Sequence, residues 1–212
     1  GLTAVLIATA GSDMNKTPWS LVDIENDDTT DQMFGLSVDI GTTTVVVQLV
    51  NLKTTEVMAT VSTANPQAQF GSDVISRIGF AETGSGLESL HNTIMICLDK
   101  LIAEAVQKAA IKTEYIYEAV IVGNTTMNHL LLKYPTHQLG QAPYAAYSVA
   151  STNQTASRLA INLNPYGNIY TPPNIAGFVG SDTVAAALAC GMDTTETLTL
   201  LVDIGTNGEI VL

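Results

Sequence analysis

The sequence predicts an α/β fold on three observations. The tetrapeptide Asp-Ile-Gly-Thr occurs twice, as Asp39-Ile40-Gly41-Thr42 and as Asp203-Ile204-Gly205-Thr206, each time between apolar runs. β-Branched and aliphatic residues on both sides of a Gly/Thr-rich corner predict two strands joined by a tight hairpin. Between the copies, Leu87, Leu90, Ile94, Leu98, Leu101 and Ala105 keep the three-to-four spacing of a helix with one buried face. Ala119-Val120-Ile121-Val122 then predicts a buried strand, which Gly123-Asn124-Thr125-Thr126 turns into a helix over 127–133.

In chain order, the apolar run 2–8 predicts a strand. Lys16-Thr17-Pro18-Trp19 follows, and then the acidic, Thr-rich segment 23–31, a linker with little to bury. Gly35-Leu36-Ser37-Val38 leads into the first hairpin and 45–50 leaves it. A third strand is expected over 56–63, then a loop at Asn65-Pro66 and a short helix over 73–80. Gly84-Ser85-Gly86 marks the approach to the long helix over 87–110. After the helix at 127–133, Tyr144, Tyr147, Tyr166 and Tyr170 lie in a Pro- and Asn-containing stretch, as packed residues or a partner surface. Gly177-Phe178-Val179-Gly180-Ser181-Asp182 precedes an Ala-rich helix over 183–189, which Ser181 or Asp182 can cap. Residues 198–202 and 210–212 flank the second hairpin.

Composition narrows the function classes. Eight Lys plus Arg stand against 20 Asp plus Glu, a net charge of −12. Binding nucleic acid without regard to sequence rests on cations that neutralise phosphates, so nucleic acid is not an expected partner. Apolar stretches such as 184–190 are far too short to span a bilayer, and the opening apolar run lacks the basic region of a signal peptide. No membrane contact is expected, and the cytoplasm is the default compartment. The two cysteines, Cys97 and Cys190, fall short of the four thiolates of an ordinary iron–sulfur cluster and read as buried free thiols.

The chemistry of the repeated motif follows from its residue types. Gly41 and Gly205 let the backbone turn sharply beside a ligand, so that main-chain N–H groups can face phosphate oxygens. The hydroxyls of Thr42, Thr43, Thr44 and Thr206, with the Asn207 amide and Gly208 beside it, add donors. A carboxylate there repels phosphate unless a cation lies between them, and Mg²⁺ takes one or two carboxylates, several waters and phosphate oxygens. Asp39 and Asp203 are therefore the candidate metal ligands, direct or through water. The other reading is a pair of ordinary hairpins whose Asp and Thr satisfy turn backbone. Gly123, Asn124 and Thr125 offer a helix N-terminus to an anion or merely cap the helix. Beside Gly180, Asp182 caps a helix or orders a metal-bound water, and Glu209 after the second turn reaches the metal or water. There is no G-x-x-x-x-G-K-[ST] and no G-x-G-x-x-G. His91, His129 and His137 show no metal-pair spacing, and Arg77 can pair with Asp73 four residues earlier on one helix.

Paired phosphate-binding hairpins in two related halves resemble the superfamily of acetate and sugar kinases, heat-shock chaperones and actin, abbreviated ASKHA. More closely, the strings GLSVDIGTTTVVVQLVNL, NPQAQFGSDVISRI, AVIVGNTTMNHLLL, PPNIAGFVGSDTVAAALA and LLVDIGTNGEIVL resemble the ATPase part of the reductive activators of corrinoid proteins. The resemblance implies a ribonuclease-H-like, actin-like mixed sheet with flanking helices. It also implies an ATP- and Mg²⁺-dependent enzyme that drives a corrinoid partner from Co(II) to Co(I), with an iron–sulfur domain outside this chain.

Residues 1–34 would be the end of a preceding small domain and its linker. Residues 35–197 would be the first ASKHA half, and 198–212 the start of the second. Asp203, Asp182 and Glu209 are the catalytic candidates on this reading, and a fragment with one cleft wall is expected to be inactive alone. A homodimer is an open option. A sugar or acyl kinase of the same superfamily and a non-catalytic, nucleotide-gated interaction module are the alternatives.

Overall fold

The computed structural model describes residues 1–8 and 19–212. Lys16, Thr17 and Pro18 lie outside the described residues. A mixed sheet of six strands forms the centre, in the order β5-β4-β3-β6-β8-β7. Its spine is the hairpin of β3 (Phe34–Ile40) and β4 (Thr44–Asn51), with β5 (Val57–Ala64) antiparallel to β4. On the other side, β6 (Ile116–Gly123) runs parallel to β3 and β8 (Asn168–Thr171) parallel to β6, while β7 (Thr152–Thr155) closes the edge antiparallel to β8.

Alternation along β3 decides what each face does. Leu36, Val38 and Ile40 are buried, whereas Ser37 and Asp39 face the opposite way. The buried side is covered by α2 (Gly86–Ala109), which packs against β4 and β5. Leu90, Ile94, Leu98, Leu101 and Ala105 form its buried stripe, each large aliphatic worth about 1.5–3 kcal/mol on burial. Helix α2 ends at Ala110, left-handed at φ 54°, whose N–H closes on the carbonyls of Val106 and Gln107. Before it, α1 (Val74–Ala81) starts in a reciprocal capping box between Asp73 and Ser76. After β6, α3 (Thr125–Leu132) starts at Asn124, whose side chain accepts from the Met127 N–H. The short α4 (Ala156–Leu159) lies between β7 and β8, and α5 (Ser181–Ala189) packs against β6.

Two small antiparallel pairs stand outside the sheet. One is β1 (Leu2–Ala8) with β2 (Trp19–Asn26); the other is β9 (Leu201–Ile204) with β10 (Gly208–Val211). The acidic segment read as linker is therefore strand as far as Asn26. Two of its carboxylates are half-buried and take partners: Tyr117 donates to Glu25 at 2.5 Å and the Asn164 amide to Asp23 at 2.9 Å. Other elements also depart from the sequence reading. Strands β7 and β8 were not expected, because their polar, four-residue runs carry no alternation of useful length. Neither Ser181 nor Asp182 is the cap residue of α5, which is Gly180, although the Asp182 carboxylate accepts from the Thr183 N–H at 2.7 Å in the first turn. Cys97 is buried as expected, but Cys190 follows the last turn of α5 and is exposed.

Candidate functional site

The carboxyl end of β3 delivers Asp39 to a cleft of about 250 Å³ that the two repeated turns enclose. Asp39, Gly41, Thr42, Thr43, Thr44 and Val46 form one wall. Asp203, Gly205, Thr206, Asn207 and Glu209 form the other, with Asn124 and Asp182 between them. The tips meet where the Thr43 and Thr206 hydroxyls lie 2.7 Å apart.

The first turn is held rigidly from behind. Its Gly41 N–H donates to the Thr44 carbonyl at 2.9 Å. Adding a Cβ at Gly41 would bring it to 2.7 Å from that same oxygen, which is why no larger residue fits there. Asn65 donates through its side chain to the Gly41 carbonyl at 2.8 Å and through its backbone to the Thr43 carbonyl at 2.7 Å. The Asn124 amide donates to the Thr42 hydroxyl at 3.0 Å, fixing the start of α3 against the turn. At α5, the Ser181 hydroxyl bridges the N–H and carbonyl of Gly123, both at 3.2 Å, and so places Asp182 over the same cleft.

Electrostatically the cleft is an unneutralised acidic cluster. Burial of the group among its neighbours pushes the Asp39 carboxyl up to about 6, with Asp182 and Asp203 adding repulsion, although the residue as a whole stays exposed. Burial likewise raises Asp182, against a hydrogen bond from the Thr183 N–H, and raises Glu209, with Asp182 and Asp203 adding to it. Carboxylates forced together in this way favour a cation between them. No group of three His, Cys, Asp or Glu among the described residues is arranged to hold a metal by itself.

Over residues 34–195 the sequence matches the family described as RACo middle region. The chain belongs to the RACo middle-region family. A relative from Eubacterium limosum named "Corrinoid activation enzyme RamQ" is 38% identical over 183 residues, covering 85% of this chain and 30% of that protein. A solved structure titled "Reductive activator for corrinoid,iron-sulfur protein" superposes with a TM-score of 0.85 at 37% identity, over 90% of this chain and 30% of that one. The chain thus spans about 30% of the length of the relatives it matches.

Within this RACo middle region, the structure separates the candidate residues into those that reach the cleft and those behind it. Gly208 lines an adjoining cavity of about 510 Å³ with Phe178 and Ile210. Gly123, Thr125 and Gly180 do not line the cleft. Thr125 is fully buried and its hydroxyl donates to the Ala176 carbonyl at 2.6 Å, so that hydroxyl is already engaged within the protein. Gly205 has room for a side chain, its nearest neighbour being the Asn207 carbonyl oxygen at 3.4 Å, so its turn does not depend on close approach as that of Gly41 does.

Sequence reasoning missed the roles of Asn65 and Arg77 behind the turn. The only local signal was a polar residue before Pro66 and a lone arginine on an otherwise apolar helix face. Arg77 does not pair with Asp73: it is fully buried, and the Asp73 carboxylate accepts from the Ser76 N–H at 2.8 Å. Among the histidines, His129 is buried, with Nδ1 at 2.7 Å from the Thr125 carbonyl, and His137 is exposed beside Glu82.

Proposed function

We propose that this chain is the nucleotide-binding region of an ATP-dependent activator that reductively returns a corrinoid protein from Co(II) to Co(I). The observation that carries the reading is the meeting of two Asp-Ile-Gly-Thr turns across one acidic cleft, hydroxyl to hydroxyl at Thr43 and Thr206. The names of the two relatives support the corrinoid substrate. Three antiparallel strands followed by two parallel ones support a ribonuclease-H-like first half of an ASKHA ATPase, with β9–β10 opening the second.

On this reading the N–H groups and hydroxyls of Thr42, Thr43 and Thr44, with Thr206 and Asn207, take the phosphates of ATP. The donor set fits Mg²⁺ arriving with the nucleotide, because that ion keeps waters and phosphate oxygens and needs only one or two carboxylates. Asp39 and Asp203 would hold it, and it would supply the positive charge that lets phosphate enter an acidic cleft. Asp182 and Glu209, whose raised pKa values come from the same crowding, orient water at the phosphate end. With Cys97 buried, Cys190 exposed and no further cysteine in the sequence, the electron-donating iron–sulfur centre belongs elsewhere in the whole protein.

Nucleotide acts on the redox step only if it binds one arrangement of activator and corrinoid partner more tightly than another. A cleft whose two walls come from separate hairpins has that property, because closure alone brings both walls to the ligand. The test mixes full-length protein, Co(II) corrinoid protein and reductant, with and without Mg·ATP, and follows cobalt by absorbance. Co(I) is expected only with Mg·ATP; equal Co(I) in both arms overturns the proposal. ATP consumption that phosphorylates a small molecule without affecting cobalt would favour the kinase instead.

A further inference from the structure

Arg77 is 0% exposed, and among the described residues no carboxylate lies within ion-pair distance of it. Its guanidinium is spent on backbone: Nε donates to the Gly71 carbonyl at 2.9 Å and one terminal nitrogen to the Thr42 carbonyl at 2.7 Å. The other terminal nitrogen faces the Met127 sulfur at 3.4 Å. Burying a guanidinium is costly, and the Asp73 charge offsets that cost only from beyond ion-pair distance. An apolar side chain of similar volume would avoid it but leave the Gly71 and Thr42 carbonyls without this donor. Filling space therefore gives no reason for an arginine here.

The carbonyls of the turn give one. Those of Gly41, Thr42 and Thr43 are all held on the protein side, by the Asn65 side chain, Arg77 and the Asn65 N–H respectively. In a planar trans peptide the N–H points opposite to the carbonyl of the same unit. Holding the carbonyls back therefore turns the N–H groups of Thr42, Thr43 and Thr44 the other way, toward the cleft these residues line. No protein acceptor takes the Thr42 or Thr43 N–H among the described residues.

We infer that Arg77 is the positioning residue of the anion site: it fixes the Thr42–Thr43 peptide so that its N–H faces a bound polyphosphate, and it sets a fixed positive charge behind that peptide. The inference rests on the nucleotide reading above. A guanidinium suits the task because it remains charged when buried and its planar fork bonds two carbonyls at once. An acidic cleft needs such a charge on its phosphate side, since the carboxylates opposite repel the same ligand.

The test measures the affinity of full-length protein for Mg·ATP and for adenosine by titration calorimetry, with thermal midpoints alongside. Arg77→Met is expected to weaken ATP about 10- to 100-fold, the range for a hydrogen bond to a charged group, and to leave adenosine unchanged. Arg77→Lys keeps the charge without the fork and is expected to fall between Met and wild type. Wild-type ATP affinity in a folded Arg77→Met protein overturns the inference and leaves the nucleotide reading standing. Equal weakening of ATP and adenosine, with a lower midpoint, also overturns it and makes Arg77 a structural residue only. If wild type itself shows no affinity for Mg·ATP, the nucleotide reading falls and this inference with it. Should Arg77→Met fail to fold, Arg77→Gln carries the test, because it keeps amide donors without the charge: a selective loss of ATP affinity supports the inference, and wild-type affinity overturns it.

Discussion

The hydroxyls of Thr43 and Thr206 lie 2.7 Å apart although 163 positions separate them in the chain. The bond joins the tips of two hairpins that belong to different sheets, so it closes one end of a cleft that neither hairpin forms alone. Both residues are exposed, which makes the bond a weak contributor to folding, within about 0.5 kcal/mol for a surface change. Its effect should appear on ligand binding. Thr206→Val in the full-length protein is expected to weaken Mg·ATP binding by roughly three- to tenfold, the range for one neutral hydrogen bond, with an unchanged thermal midpoint. Unaltered affinity in titration calorimetry would show that neither this bond nor a Thr206 contact with phosphate contributes to binding.

Asp39 should show the opposite balance, costing stability while serving the ligand. Burial first, then Asp182 and Asp203, push its carboxyl up to about 6 from 3.8. The folded chain therefore holds the proton more tightly than the unfolded chain. The penalty for ionisation is full above about 6 and disappears as pH falls toward 3.8. With chelator present, Asp39→Asn is expected to raise the thermal midpoint at neutral and higher pH, with the gain shrinking as the pH is lowered. The same substitution should abolish ATP turnover in the full-length protein. A lower midpoint at all pH values, with turnover kept, would make Asp39 an ordinary turn residue.

The sheet's centre and the cleft's carboxylates were legible because their signals are local. Apolar runs on either side of a repeated Gly/Thr corner specify hairpins, and β3–β4 and β9–β10 form there. The three-to-four spacing specifies α2, whose described bounds lie within one residue of the predicted ones. What stayed hidden depends on tertiary contact. Arg77 looked like half of a surface pair with Asp73 because the spacing is right. Helix α1 instead turns the arginine beneath Thr42, while its own first turn takes the carboxylate. The acidic strand β2 looked like a linker because its charges were expected to face water. Tyr117 and Asn164, about a hundred or more positions away, give those carboxylates partners inside. Thr125 stood in the right string for a phosphate contact, yet the loop at Ala176 takes its hydroxyl.

The backbone crossing behind the cleft makes Gly180 far less replaceable than Gly205. A Cβ at Gly180 would lie 2.3 Å from the Gly123 carbonyl oxygen and 2.4 Å from the Asn124 Cα, where only backbone could yield. Gly180→Ala must therefore push α5 away from the start of α3, breaking the Ser181 bridge to Gly123 that places Asp182. Destabilisation of about 1–3 kcal/mol is expected, the usual cost of overpacking. At Gly205 the nearest contact would be 3.4 Å, so Gly205→Ala should fold as wild type does. Urea denaturation of both variants checks the contrast, and equal midpoints would contradict it.

His129 makes the fold sensitive to acid at a site away from the carboxylates. Its Nδ1 lies 2.7 Å from the Thr125 carbonyl, and its Nε2 is 3.1 Å from the Tyr147 N–H. A carbonyl only accepts and a backbone N–H only donates, so the ring must carry its proton on Nδ1 and accept at Nε2. Protonation would set a second N–H against that of Tyr147, in a side chain with no exposed surface. Burial lowers its pKa from 6.5, against the smaller raising effect of the Thr125 carbonyl. The unfolded chain therefore takes up a proton at a pH where the folded chain does not. Stability from this residue is complete above 6.5 and falls as the pH drops below it. The loss is up to about 1.4 kcal/mol per pH unit until the folded ring also titrates. Urea denaturation across this range should show that slope in wild type. In His129→Gln, whose amide can donate to Thr125 and accept from Tyr147, the slope should be shallower by one proton even if the variant is less stable overall. An identical slope in the two proteins would assign the acid sensitivity to other groups.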